Sequence, residues 1–153
     1  MNPRHLQIDE VSYLHINPVR IEGEFYVVEL SGELDGHTAE QLRDILSELH
    51  KRAPIGFGVI VDMIEVDFMD SVGLGVLIQG LVEFTGIASA DRPALPPELS
   101  APFVLVGLQP IVQRAITVTG VAAIMPVYAD VEEVLNNNGL QVVETTDLAV
   151  MRE

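Results

Sequence analysis

The sequence predicts an α/β domain with a sheet that is at least partly parallel. Short β-branched runs alternate with segments of helical period in the order strand, helix, four times over, and right-handed crossovers then make neighbouring strands parallel. Two of the runs, "FGVIVD" (57–62) and "FVLVG" (103–107), are almost continuously apolar, as strands buried on both faces are. With 48% hydrophobic residues in a chain of 153, one ordinary domain can bury a sizeable core.

The first strand is expected from Phe25 to Val28 in "EFYVVELSGELD", with Leu30 closing the run and a turn at Ser31-Gly32. A helix follows, because Leu42, Ile45, Leu46 and Leu49 fall on one face. Thr38 and Gln41 read as its capping box, and Pro54 and Gly56 break it. The second strand, 57–62, puts Asp62 near its end. Then Gly73, Val76, Leu77, Gly80, Leu81 and Phe84 resume helical spacing, and glycines on that apolar face imply close approach to a sheet. Four prolines mark 88–102 as a loop.

After the strand 103–107, Pro110 suits a first helical position before Val112, Ala115 and Ile116, and Gly120 is placed to end that helix. "AIMPV" (123–127) is a short strand candidate, an edge by its proline. Asp130 caps a last helix to about Leu135, which "NNNG" ends. The closing stretch, 140–153, is read as a strand, a docked arm or a frayed tail.

The bulk numbers narrow the function classes. A net charge of −15 with eight Lys and Arg argues against nucleic acid or an anionic membrane as direct partner. A basic protein partner is attracted instead. Without cysteine there is no disulfide or thiolate metal site. "MNPRHLQIDE" lacks a signal-peptide core, and the apolar stretch Val72 to Ile78 is too short to span a bilayer. The expected location is cytoplasmic.

"DFMDSVGLG" (67–75) concentrates the candidate chemistry at a strand-to-helix junction. Its serine could be a cap, a nucleophile or an acceptor for a regulatory charge. A hydrolase elbow needs glycines two positions either side and a histidine later in the chain. Here the flanking residues are Met69 and Gly73, and all four histidines precede Ser71. Glu65, Asp67 and Asp70 have no calcium-loop spacing, and Asp35 with His37 gives a metal only two ligands. "GLG" at 73–75 is not a phosphate loop. Asp70 and Ser71 are each favoured N-caps, which explains the pair but not the glycines after it.

At this point a resemblance enters. "SGELDGHTAEQLRDIL" (31–46) and "VIVDMIEVDFMDSVGLGVLIQGL" (59–81) resemble the two most characteristic stretches of the bacterial anti-sigma factor antagonists, single-domain STAS proteins, and "LVGLQPIVQRAITVTGV" (105–121) resembles a later strand and helix of that family. The likeness spans about 24–136 and takes in the whole chain, 1–153, as one STAS domain, with 86–102 as a proline-rich insertion and 138–153 as a tail.

The resemblance implies a small mixed sheet with helices mainly on one face. It also implies a binding protein rather than an enzyme, without cofactor. Its partner is an anti-sigma factor that is a serine kinase and binds the ATP itself. By position the phosphate acceptor is Ser71, after Asp70 and before Gly73. Asp35 is expected to meet an arginine of the partner, and Leu74 and Gly75 belong to the helix end shown to the kinase. Phosphorylation adds about −1.5 to −2 charges at a helix N-terminus, where free N–H groups tolerate an anion while a docked interface does not. The departures, a long proline-rich loop and Val72 where many relatives have a second small hydroxyl residue, leave open an unphosphorylated scaffold or ligand-sensing module, another partner, or a homodimer.

Overall fold

The computed structural model describes residues 11–88 and 93–137. Among these residues six strands form one mixed sheet: β1 (Leu14–Ile16), β2 (Arg20–Glu22), β3 (Phe25–Leu34), β4 (Gly58–Met69), β5 (Phe103–Val106) and β6 (Val127–Tyr128). The order is β1-β3-β4-β5-β6, with β2 beside β1 on the same edge of β3. β3 to β6 run parallel, and β1 and β2 pair antiparallel to β3. The helices among the described residues are α1 (Ala39–Arg52), α2 (Ser71–Thr85), α3 (Pro110–Val118) and α4 (131–137), which is about two turns long.

Alternation along β3 and β4 divides the core. Tyr26, Val28, Leu30, Val59, Val61 and Met63 meet α1, α2 and α3 on one face. Phe25, Val27, Ile60, Val104 and Val106 pack with Val134 of α4 on the other. The helices therefore lie mainly on one face, with the last one crossing to the second. The expected face of α1 is inside, Leu42, Leu46 and Leu49 buried and Ile45 packed against them. Its acid-first, base-last charge order, Glu40 against His50, Lys51 and Arg52, suits the helix dipole.

The glycines of α2 do approach the sheet. A Cβ on Gly73 would stand 2.3 Å from the Leu34 carbonyl oxygen, and one on Gly80 2.7 Å from the Phe103 ring. Pro110 opens α3, and Gly120 follows it in the left-handed region at φ 80°. Asp130 does cap α4: its carboxylate accepts from Glu133 N–H at 2.8 Å, while Glu133 accepts from Ala129 N–H at 2.7 Å.

Four expectations need correction. Ser31-Gly32 is not a turn, because β3 continues through it to Leu34. Gly32 is there at φ 112° because the edge strand passes close, and a Cβ would lie 2.2 Å from the Tyr13 carbonyl oxygen. The second strand does not end at Asp62 but runs on to Met69. Its twelve residues face the ten of β3 through two register shifts. An extra residue at each shift turns the burial period from two to three, so that Met63, Val66 and Met69 all face the core.

Thr38 is not a capping-box residue: it makes no side-chain cap bond, its hydroxyl instead donating to the Glu33 carbonyl at 2.7 Å and accepting from Asp35 N–H at 3.0 Å. The strand expected at "AIMPV" (123–127) is shorter and later: Ala123 closes a 3₁₀ turn, Val121–Ala123, and of the five residues Val127 alone enters the two-residue β6, which does lie at the sheet edge, while Pro126 before it has no N–H to give a strand. The short strands β1 and β2 were not anticipated, because three-residue runs interrupted by Pro18 and Gly23 carry too little period to read. The tail reading for 140–153 lies outside the described residues.

Candidate functional site

The ends of β3 and β4 and the starts of α1 and α2 meet at one corner, and Asp70 ties them together. Its extended backbone (φ −109°, ψ −172°) ends β4, while its Oδ1 accepts from Val72 N–H and Gly73 N–H, both at 3.0 Å. Its Oδ2 accepts from Gly36 N–H at 3.2 Å, reaching the β3–α1 loop. The Asp70 N–H donates to the Leu34 carbonyl at 3.2 Å, and the Asp70 carbonyl accepts from Leu74 N–H at 3.0 Å. One residue thus caps a helix and fixes a loop 34 positions earlier.

Ser71 is the first residue of α2 and is exposed. Among the described residues its hydroxyl has no hydrogen-bond partner. The expectation of free N–H groups waiting there is modified: those of Val72, Gly73 and Leu74 are already engaged by Asp70. A phosphate on Ser71 would be a second anion at a helix end that already holds one. Val72 beside it is 46% exposed, a large apolar side chain in water.

The remaining expected site residues divide by direction. Gly75 is exposed, and a Cβ there would meet nothing within 4 Å. Gly73 is buried against Leu34, and Leu74 is 6% exposed within the main core. Gly73 and Leu74 are therefore not presented outward: they seat the helix rather than offer a surface, because positions one turn apart from Leu77 and Leu81 must face the sheet.

Asp35 is half-buried in the β3–α1 loop, its Oδ1 accepting from Ser12 Oγ at 3.0 Å and His37 N–H at 2.9 Å. Burial would raise its pKa, but the bonds from Ser12, His37 and Thr38 outweigh it and hold the carboxyl below its usual range. The free chain thus uses Asp35 to shape the loop beside Ser71. Sequence reasoning missed Ser12 and Gly36. Ser12 lies 23 positions from the carboxylate it holds, so nothing local marks it, and Gly36 contributes a backbone N–H that any residue has.

Asp62 sits mid-strand, its carboxyl accepting from Ile64 N–H at 3.1 Å and raised above the usual range by burial. Asp67 is exposed in the second irregular stretch of β4. Among the described residues no group of three or more potential ligands is arranged to hold a metal ion, and no helix is long and apolar enough to cross a membrane.

Comparison with known proteins bears on this corner. Residues 17–87, which contain every part of it except Ser12, match the model of the STAS domain. The chain is 29% identical over 102 residues to the anti-sigma F factor antagonist of Paenibacillus polymyxa, covering 67% of this chain and 76% of that one. Among solved structures it resembles an anti-sigma factor antagonist from Mycobacterium paratuberculosis, with 25% identity, 82% and 93% of the two chains covered and a TM-score of 0.65. It shares its fold with the Bacillus cell fate determinant SpoIIAA in its phosphorylated form, at 23% identity, 83% and 98% coverage and a TM-score of 0.54.

Proposed function

Since this chain is a STAS-domain protein related to the anti-sigma factor antagonists, we propose that it binds a cognate anti-sigma factor and is switched off by phosphorylation of Ser71. The anti-sigma factor is the serine kinase and brings the ATP. Binding by the unmodified chain releases a sigma factor, so the regulated output is transcription, and the setting is the cytoplasm. The observation that carries the reading is the bare start of α2: an unbonded, exposed Ser71 hydroxyl flanked by exposed Val72 and by Gly75, whose Cβ position is empty.

Gly75 weighs most in this. A glycine inside a helix costs about 1 kcal/mol relative to alanine, and at Gly73 and Gly80 the fold explains that cost by close packing. At Gly75 nothing within the described chain does. A partner backbone laid against α2 accounts for it, and places Ser71 one helical turn from the same contact. There the hydroxyl can reach a kinase without local unfolding. Phosphate then adds charge beside the Asp70 carboxylate, and repulsion within a docked, poorly hydrated interface releases the partner.

The test uses the anti-sigma factor from the same genome, with and without ATP. Wild type is expected to bind without ATP and to lose affinity with it, gaining one phosphate on Ser71 by mass spectrometry. Ser71→Ala should bind in both conditions, and Ser71→Asp should bind at least about tenfold more weakly. Equal affinity of Ser71→Asp and wild type would remove the switch.

A further inference from the structure

Among the described residues, the sheet face opposite α1, α2 and α3 is only half covered. α4 packs over Phe25, Val27, Ile60, Val104 and Val106, and no described element covers the continuation of β1, β3 and β4 beyond them. Register lays that part out in rows. His15 lies opposite Ser31, which neighbours Glu65. One step on, Glu33 neighbours Phe68, and Glu33 N–H donates to the Tyr13 carbonyl at 2.8 Å, which continues the β1–β3 register to Tyr13.

Tyr13 is 66% exposed and Phe68 42%, so aromatic rings flank a carboxylate on an open sheet. Behind them a concavity of about 310 Å³ opens between Asn17, Ser31, Asp62 and Glu65. Near it Arg20 is engaged by Glu22 at 2.6 Å and Glu29 at 2.7 Å. Among the described residues no ion pair reaches Glu33, Asp62 or Glu65. The face also adjoins the corner already described, for Ser12 next to Tyr13 holds Asp35, and Phe68 is two residues before Asp70.

We propose that this half-face is a docking surface for an arginine-bearing segment of a protein partner, its guanidinium groups stacking on Tyr13 and Phe68 and pairing with Glu33 and Glu65. Exposed aromatic rings beside unpaired carboxylates match a planar cation better than a point charge, because guanidinium both stacks and pairs in a fork. A second copy is disfavoured as occupant, since it would bring the same acidic row and a net charge of −15 to meet it. Nucleic acid and anionic lipid are repelled for the same reason. Burial already holds the Asp62 carboxyl above its usual range, and a cation docked on this face would reverse that. The proposal does not depend on Ser71 being phosphorylated.

The probe is a labelled acetyl-Arg-Leu-Arg-Leu-Arg-Leu-amide peptide and its lysine counterpart, titrated against the full chain with amide shifts recorded. The arginine peptide should shift residues of β1, β3 and β4 on this face and bind more tightly than the lysine peptide. Glu33→Gln with Glu65→Gln should weaken it about tenfold, and Tyr13→Ser with Phe68→Ser similarly. Glu40→Gln with Asp44→Asn, which removes the same charge from exposed positions of α1, should change it by less than about twofold. Equal losses in the face and α1 variants would mean net charge alone and would overturn the proposal. So would shifts mapping elsewhere, lysine binding as tightly as arginine, or a free chain whose face is already protected by a second copy or by residues 138–153. Should the aromatic variant fail to fold, the glutamine variant decides alone, as both its positions are polar and partly or fully exposed.

Discussion

Three glycines of one helix separate packing from recognition. Gly73→Ala would drive a methyl to 2.3 Å from the Leu34 carbonyl oxygen, which belongs to the backbone and cannot move aside. Overpacking of this kind costs about 1–3 kcal/mol. Gly80→Ala meets the Phe103 ring and the Leu46 side chain instead, neighbours that can give slightly, so its cost should be the smaller. Gly75→Ala meets nothing and should stabilise by up to about 1 kcal/mol through helix propensity alone. Urea unfolding of the three variants checks the order. On the proposed reading, Gly75→Ala also weakens partner binding while making the chain more stable, a combination that a purely structural glycine would not produce.

At the level of elements, the link between the β3–α1 loop and α2 rests on the two oxygens of Asp70. Asp70→Ala removes both the cap and the loop bond and should cost about 1–2 kcal/mol. Asp70→Asn keeps an acceptor for Val72 and Gly73 N–H, but turns a donor toward Gly36 N–H. Hydrogen exchange should then quicken at Gly36 in both variants, and at Val72 and Gly73 only in Asp70→Ala. Exchange at Gly36 unchanged in Asp70→Asn would show that the loop holds itself, through Asp35 and its bonds to Ser12 and His37. The long β4 is the element that sequence pattern served worst. A nearly continuous apolar run identified 57–62, and the residue inserted at each register shift hid the remainder from any period-two reading. The helices were legible because α1 and α3 each keep one apolar stripe, and α2 declares its approach to the sheet through Gly73 and Gly80.

Across the whole molecule, the acidic balance makes stability depend on pH through particular carboxyls. The Asp62 pKa is raised by burial, so its ionised form opposes folding. That cost is full above the raised folded value, shrinks as pH falls through it, and is gone below the unfolded value of about 3.9. Asp62→Asn should therefore raise the thermal midpoint at pH 7, with the gain vanishing below about pH 4. Asp35 has the opposite sign: its folded pKa is lowered, so it stabilises above the unfolded value and loses that contribution as pH falls through the folded one. Asp35→Asn should lower the midpoint at pH 7 and matter little in strong acid; midpoints that shift together in both variants would contradict the assignment. By itself the sequence determined the α/β class, the helix faces and a capped helix start at Asp70-Ser71, because each is written in local period or in a residue type with one strong local preference. Only the tertiary structure decided that Gly73 and Leu74 face inward while Gly75 faces out, that Asp35 is held by Ser12, and that Tyr13, Glu33 and Phe68 share a row that no described element covers. Those facts depend on strand register and on contacts between residues distant in the chain, where the free energy of packing, and no local pattern, chooses the neighbours.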